Sequence, residues 1–483
     1  MSDQSRGDDW ASLSLSEDEM RRLGYAVVDL IIAYHRSLGS QPLVNAPDCS
    51  AHSVDIQSSS PFPEVGQAPM QVLTKVKEAV LADMIHVSDP RFFGYIPSPG
   101  NFVGAMADAL ASGFNVFAGT ASHCRGPTQV ETACCRWLAS LAGLPDTAGG
   151  TFVSGGSVAN LTAVVLARHR ILGDSIADAR AYCSDQTHSS LDRAFRILGF
   201  GNNQLVRIPS DTDFRADPEA LWSRLRTDRA AGLRPFLVIG NLGTTSTGAA
   251  DPLGALAEIA VTENIWLHVD AAYGGGALLN PHKRAEFADV GRAHSVTMDQ
   301  HKWFFQPIEC ASLLVRDMSW LHEFFHATPS YLKDSAAAEE GINYRDHGIQ
   351  LTRGFRALKL WMSLQTFGVQ AFAAAVEHGL RMAEEAESLL RARPGWSIIS
   401  PATLGIVSFR FEMVGLGELA LDRLNESINR ALVSEGKAFT TTTELRGRKV
   451  LRLCTINPRM ELRHIRQTIG RLDAIARQLT NPH

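Results

Sequence analysis

The 483-residue chain has no Cys-x-x-Cys pair, and its seven scattered cysteines are an odd number. That argues against both a disulfide framework and a thiolate zinc centre, so reduced, mostly buried thiols and no metal site are expected. It also lacks an excess of charge. With 46 Lys and Arg against 51 Asp and Glu, the net charge of -5 is spread without long runs of one sign. This gives no footprint for nucleic acid or an anionic membrane, and points to a small-molecule partner. No apolar run is long enough to cross a bilayer, since Tyr25 to Tyr34 is short and interrupted by Asp29. The start, Met1 to Asp9, is polar and acidic rather than basic and then apolar, so a cytoplasmic location is expected. There is no fixed-period repeat and no low-complexity tract, which excludes a solenoid.

What the chain does have is 45% hydrophobic content over a length usual for two or three domains. Ser16 and Glu19 form a capping box, and Met20, Leu23, Val27, Leu30, Ile31 and Tyr34 follow helical spacing, so Ser16 to His35 reads as an amphipathic helix. The stretch from Ser37 to Pro69 is rich in Pro and Ser and has no period, as in an extended arm. From about residue 100, short apolar runs alternate with helix-length segments, the pattern of a mostly parallel sheet covered by helices. Seven strands are predicted: Thr151 to Ser154, Ala181 to Ser184, Gln204 to Ile208, Phe236 to Gly240, Ile265 to Val269, Ser295 to Met298 and Ser312 to Val315. After Thr352 a long helix leads to strands near Gly405 to Phe411 and Val450 to Ile456, beside helices near Glu418 to Ser434 and Leu462 to Leu479. The expected division is an α/β protein with an arm over 1–99, a large domain over 100–359 and a small α+β domain over 360–483.

Three segments carry chemistry. Gly149 to Ser157 runs from a strand through Gly155 and Gly156 into a helix, where backbone amides can approach an anion. The helix dipole adds about 0.3–1 kcal/mol, up to about 2 when partly buried. A tight turn would explain the glycines equally well. No Gly-Lys-Ser/Thr or Gly-x-Ser-x-Gly is present, so a simple phosphate group is the better ligand. In Trp266 to Tyr273, strand alternation places His268 and Asp270 on one face, with Asp270 at the edge where open α/β sheets bind ligands. A carboxylate about 4 Å from a pyridinium nitrogen is worth about 4 kcal/mol at an effective dielectric of about 20, or roughly three pK units. The alternative is an Asp that caps the next helix. In Ser295 to Trp303, a strand delivers Lys302 into an aromatic, apolar setting before Phe304 and Phe305. Burial there is expected to lower the lysine pKa, which suits an imine-forming amine. Asn160-Leu-Thr162 fits a glycosylation acceptor, but lies in an apolar helical stretch and is expected to be unmodified.

Together Asp185-Gln-Thr-His-Ser-Ser190, His268-Val-Asp-Ala-Ala-Tyr273 and His301-Lys-Trp303 resemble the group II pyridoxal phosphate (PLP) dependent decarboxylases, most of all the aromatic-L-amino-acid decarboxylase family. The likeness runs from the first helix to the C-terminal domain. It implies fold type I, the aspartate-aminotransferase-like architecture, with Lys302 joined to PLP as an imine, Asp270 on the pyridine nitrogen and His188 stacked on the ring. It further implies Gly156, Ser157 and Val158 at the phosphate, with Thr245, Asp251, Ala272 and His301 as cofactor contacts. Tyr331, in the segment Thr328 to Asp334, corresponds to a tyrosine that protonates the substrate carbon. Tyr95, Pro97, Gly119 and Thr120 correspond to substrate-pocket positions. Members form homodimers with active sites at the interface, which the first helix and arm would wrap.

Two stretches depart from the pattern. Asp299-Gln300 stands where most relatives have Asn-Pro, and a phosphate would not welcome Asp299 as a direct partner. Phe117 to Glu131 lacks the usual tryptophan and Ser-Pro, with Gly119 and Ala121 where bulkier groups are expected. The expected activity is decarboxylation of an L-amino acid, aromatic by resemblance, to its amine. The alternatives are an aliphatic or otherwise unusual substrate, an aldehyde-forming decarboxylation-deamination that Tyr331 argues against, an aminotransferase, and a non-catalytic scaffold.

Overall fold

The computed structural model describes residues 13–43, 62–326 and 341–480. Its larger sheet has seven strands: β1 (Gly149–Val153), β2 (Ala179–Ser184), β3 (Leu205–Ile208), β4 (Arg234–Asn241), β5 (Trp266–Asp270), β6 (Ser295–Met298) and β7 (Ala311–Val315). Their order is β1-β7-β6-β5-β4-β2-β3. Strands β3, β2, β4, β5 and β6 are mutually parallel, while β7 runs antiparallel between β6 and β1. All seven predicted strands are present, because each is an apolar run that a sheet covered on both faces can bury whole. Alternation divides the core accordingly: Val238, Leu267 and Val269 pack into one cluster, and Leu237, Ile239 and Trp266 into the other. The second cluster holds Ala159, Ala163 and Val164 of the helix Gly156–Ala167, so even-numbered residues of β5 face that helix.

A second sheet contains β8 (Trp396–Thr403), β9 (Ile406–Phe411), β10 (Thr441–Leu445) and β11 (Arg448–Cys454), antiparallel in the order β10-β11-β9-β8. Helices Glu418–Ser434 and Leu462–Thr480 contribute Ile428, Leu432, Ile465, Ile469 and Leu472 to its core. The two central strands were legible in sequence. The edge strands β8 and β10 are only partly buried and rich in Ser and Thr, so they lack the apolar signal.

The first helix spans Glu17–Ser37, and its capping box forms as expected: the Ser16 hydroxyl accepts from Glu19 N at 3.3 Å, and the Glu19 carboxylate accepts from Ser16 N at 3.0 Å. None of its residues is buried, and Met20 and Tyr25 are exposed.

A buried ion pair ties the segment before helix Ala121–Leu141 to the sheet. Arg353 donates to both Glu131 oxygens at 2.5 and 3.1 Å, and to Ala118 O, Thr151 Oγ1 and Phe152 O at 2.8–3.0 Å. Glu131 Oε1 also accepts from Phe152 N at 2.9 Å. Such a network fixes the chain around residue 118 firmly, since removing one partner of a buried pair costs roughly 3–5 kcal/mol.

Candidate active site

Where the parallel strands end, the following turns enclose a cavity of about 230 Å³. The turn beyond β1 supplies Gly155, Gly156 and Ser157; that beyond β2, Gln186, His188 and Ser190; that beyond β4, Gly243, Thr244 and Thr245. Asp270, Ala272 and Tyr273 come from the end of β5, and Asp299, His301 and Lys302 from the end of β6. This is the crevice at strand C-termini where open α/β sheets place ligands.

Asp270 is held from two sides. Its Oδ2 accepts from Asn160 Nδ2 at 2.8 Å, and its Oδ1 from Ala272 N at 3.1 Å. The Asn160 amide also donates to Ser190 Oγ at 2.9 Å, while its carbonyl accepts from Thr297 Oγ1 at 2.8 Å and lies 3.0 Å from His268 Nε2. On the other side of His268, Nδ1 lies 2.8 Å from Ser295 Oγ, which accepts from Trp266 Nε1 at 2.9 Å. Burial, only partly opposed by Asp270, lowers the His268 pKa to about 4, so this ring is a neutral strut.

The network continues to His188. Ser190 N points at His188 Nδ1 from 3.2 Å, and Ser190 Oγ lies 3.0 Å from the same nitrogen. The Ser190 N–H aimed at Nδ1 makes that nitrogen an acceptor, so Nε2 carries the ring proton. One amide, Asn160, thus joins Asp270 to the residue that orients His188. Sequence reasoning missed it. The available signal was its place four residues after Gly156, one helical turn along the same face.

Lys302 Nζ lies 2.8 Å from Asp299 Oδ2. Burial disfavours the ammonium, but the charge and hydrogen bond of Asp299, with Asp270 behind it, outweigh that and raise the pKa above the ordinary lysine value. The depression expected from the aromatic setting is therefore reversed: Trp303, Phe304 and Phe305 are buried as anticipated, but a carboxylate shares the pocket. His301 has Nε2 3.6 Å from Asp299 Oδ2 and Nδ1 2.8 Å from Cys310 O; burial lowers its pKa despite Asp299.

Other expected positions divide. Gly156, Ser157, Thr245 and Ala272 line the cavity, whereas Val158 and Asp251 do not. Asp251 stands behind the wall, accepting from Asn241 N and Nδ2, each at 2.7 Å, and from Ala216 N at 2.7 Å; burial raises its pKa to about 6 against these bonds. Gly243, at φ +86, shapes the turn carrying Thr244 and Thr245, and a Cβ there would stand 2.8 Å from the Tyr273 ring. Tyr95, Pro97, Gly119 and Thr120 do not line this cavity. Tyr95 is exposed and borders a groove with Phe439 and Thr441, Pro97 and Thr120 are buried, and Gly119 packs against Phe117. Tyr331 lies outside the described residues.

The cavity suits PLP chemically. Helix Gly156–Ala167 starts without a side-chain cap, leaving its first turn open to an anion. A Cβ on Gly156 would come within 3.0 Å of Asp299 Oδ1 and 3.2 Å of Ala272 Cβ, so only glycine lets the backbone approach. A primary amine and a carboxylate, Lys302 and Asp270, face the same space. Among the described residues no group of three or more His, Cys, Asp or Glu side chains could hold a metal ion.

Comparison with known proteins agrees. Residues 55–412 match the pyridoxal-dependent decarboxylase conserved domain. The chain is 42% identical over 474 residues to an aromatic-L-amino-acid decarboxylase of Bacillus atrophaeus, covering 97% of this chain and 98% of that one. It is 32% identical to a phenylacetaldehyde synthase of Arabidopsis thaliana, over 94% of this chain and 95% of that protein. In structure it is similar to Oryza sativa TDC crystallised with PLP and tryptamine, at a TM-score of 0.90 and 29% identity, covering 97% of this chain and 99% of the other. With the family match spanning residues 55–412 and a relative 42% identical over nearly the full length of both chains, the chain belongs to the pyridoxal-dependent decarboxylase family, PLP-dependent carboxy-lyases of fold type I.

Proposed function

We propose that the chain removes carbon dioxide from an aromatic L-amino acid and releases the primary amine. The observation that carries this reading is the convergence of Lys302, Asp270 and His188 on one cavity whose polar wall is wired through Asn160. The names of the relatives support the aromatic class. When bound, PLP supplies the electron sink for the bond pair left by the departing carboxylate. Lys302 would anchor the cofactor through its amine, Asp270 would hold a proton on the pyridine nitrogen, and His188, fixed by Ser190, would stack on the ring. The backbone at Gly156, Ser157 and Val158 takes the phosphate, with Thr245, Ala272 and His301 as further contacts. Asp251 acts through Asn241, and Tyr331 returns a proton to the substrate carbon.

The test is to measure carbon dioxide and product together over the aromatic amino acids and a set of aliphatic ones. Amine and carbon dioxide in equal amounts from an aromatic substrate are expected. Release only from aliphatic substrates would shift the specificity to the altered 117–127 stretch. Aldehyde with hydrogen peroxide would favour the reading that the Arabidopsis relative's name suggests. In the same assay Tyr331→Phe should lower amine formation and divert product to aldehyde; an unchanged rate and product would contradict the role given to Tyr331.

The working form is proposed to be a cytoplasmic homodimer with active sites at its interface. The wholly unburied first helix supports this, as do Met70, Val72, Phe114 and Phe367, which are large, apolar and exposed. So does the separation of Tyr95 and Gly119 from the Lys302 cavity, since a partner copy would bring its own to that cavity. The buried free thiols Cys134, Cys135, Cys183, Cys310 and Cys454 suit a reducing compartment. Light scattering should give twice the 52.6 kDa chain mass. A fully active species of single-chain mass would overturn the dimer.

A further inference from the structure

The carboxylate that departs from the family pattern has a specific partner. Asp299 is 3% exposed, and its Oδ2 lies 2.8 Å from Lys302 Nζ, three residues along the same connection. Its backbone is pinned independently of that contact, with Asp299 N donating to Ala272 O at 3.1 Å and Lys302 N to Asp299 O at 3.1 Å. Its Oδ1 is buried without a hydrogen-bond partner, against the backbone of Gly156. A carboxylate so enclosed has one strong source of compensation, the lysine ammonium.

We propose that Asp299 is the counter-ion of Lys302 whenever that amine is free, so that cofactor capture has to break this ion pair. The inference rests on Lys302 being the cofactor lysine. Four ionisable groups bear on it: Asp299 and His301 on the same connection, Asp270 at the end of β5 and Cys454 at the end of β11. Burial holds His301 neutral and raises the Cys454 thiol to about 11, so the two carboxylates decide the charge of Lys302. Their net effect is an amine kept protonated.

A protonated amine cannot attack a carbonyl. The ammonium must first lose a proton to solvent; the neutral nitrogen then adds to the aldehyde carbon, its two remaining protons pass to the carbonyl oxygen, which leaves as water, and a C=N bond replaces the C=O bond. Uptake of an aldehyde cofactor should therefore quicken as pH rises, up to the elevated pKa of Lys302. Asn at position 299 would keep the size and backbone contacts and remove the charge.

The experiment uses the full chain stripped of cofactor. Acetic anhydride labelling of Lys302 across pH, read by mass spectrometry, gives the titration of the amine, and absorbance gives the rate of PLP uptake. The wild-type midpoint is expected above the ordinary lysine value of about 10.4, and in Asp299→Asn at least about one unit lower, with roughly tenfold faster uptake at pH 7. A wild-type midpoint at or below the ordinary value would overturn the proposal, and this arm holds even if the variant does not fold. An unchanged midpoint and uptake rate in a folded variant would overturn it equally. Borohydride trapping separates the two levels: cofactor fixed on another lysine refutes the functional reading, whereas cofactor fixed on Lys302 leaves the titration to decide on Asp299.

Discussion

Lys302→Ala should abolish covalent attachment of the cofactor and reduce carbon dioxide release by at least about a thousandfold, since a positioned catalytic group alone contributes roughly 10²–10⁴ in rate. The expectation is sharp because the alternatives in the cavity are poor. Among the residues that line the cavity, Lys302 alone carries a primary amine; the other candidate nucleophiles are the hydroxyls of Ser157, Thr244 and Thr245 and the imidazoles of His188 and His301. None of these can take over imine formation. Wild-type protein treated with borohydride should carry the cofactor mass on the peptide containing Lys302, and the alanine variant on none. Imine absorbance in the variant, or activity within tenfold of wild type, would show that the anchor is elsewhere.

The second large effect is expected at Asp270. Asp270→Asn removes the charge that favours a protonated pyridine nitrogen, an interaction worth about three pK units at close range, and kcat should fall by roughly 10³ while KM changes less than tenfold. The geometry adds a second penalty. The new side chain can still accept from Ala272 N through its oxygen, but its amide then confronts Asn160 Nδ2, donor against donor. Turning Asn160 over would relieve that clash at the expense of its contacts with Thr297 and His268. The strut to Ser190 and His188 is thus disturbed by the same substitution. Steady-state release of carbon dioxide checks this; a kcat within tenfold of wild type would remove Asp270 from the proposed role.

The larger sheet could be read from the chain because its strands are buried on both faces, and a short, continuous apolar run bounded by glycine or polar turns suits little but a buried strand. Edge strands β8 and β10 carry no such signature, since their outer positions meet solvent. At the site, Lys302 and Asp270 were legible because each ends a strand or its turn with a chemically distinctive group, whereas His188 came only with the family resemblance; all three line one cavity. Asn160 was not: in sequence it resembles a polar interruption of an apolar helix, and only the meeting of that helix with β5 and β6 shows that it carries four contacts. Asp299 was seen as a misfit with phosphate, yet its ion pair depends on a tight turn with no readable period. For the same reason the rise in the Lys302 pKa ran against expectation. The substrate-pocket positions share a different limit: Tyr95, Pro97, Gly119 and Thr120 came with the family resemblance alone, and none of them lines the Lys302 cavity.

The connection that bears Lys302 is held at both ends. Strands β6 and β7 are neighbours in the sheet, His301 N donates to Cys310 O at 2.9 Å, and the Gln300 side chain donates to Ser312 Oγ at 3.0 Å. In the proposed role the side chain of Lys302 would leave and recapture the cofactor from a backbone held at both ends. That would make the nitrogen a tethered reagent competing with dissolved amines, and well-oriented groups of this kind reach effective molarities of roughly 10⁵–10⁸ M. Accumulating product amine, even at millimolar levels, would then be a weak rival for the same carbon, and the enzyme should reset itself in surroundings rich in the molecule it makes.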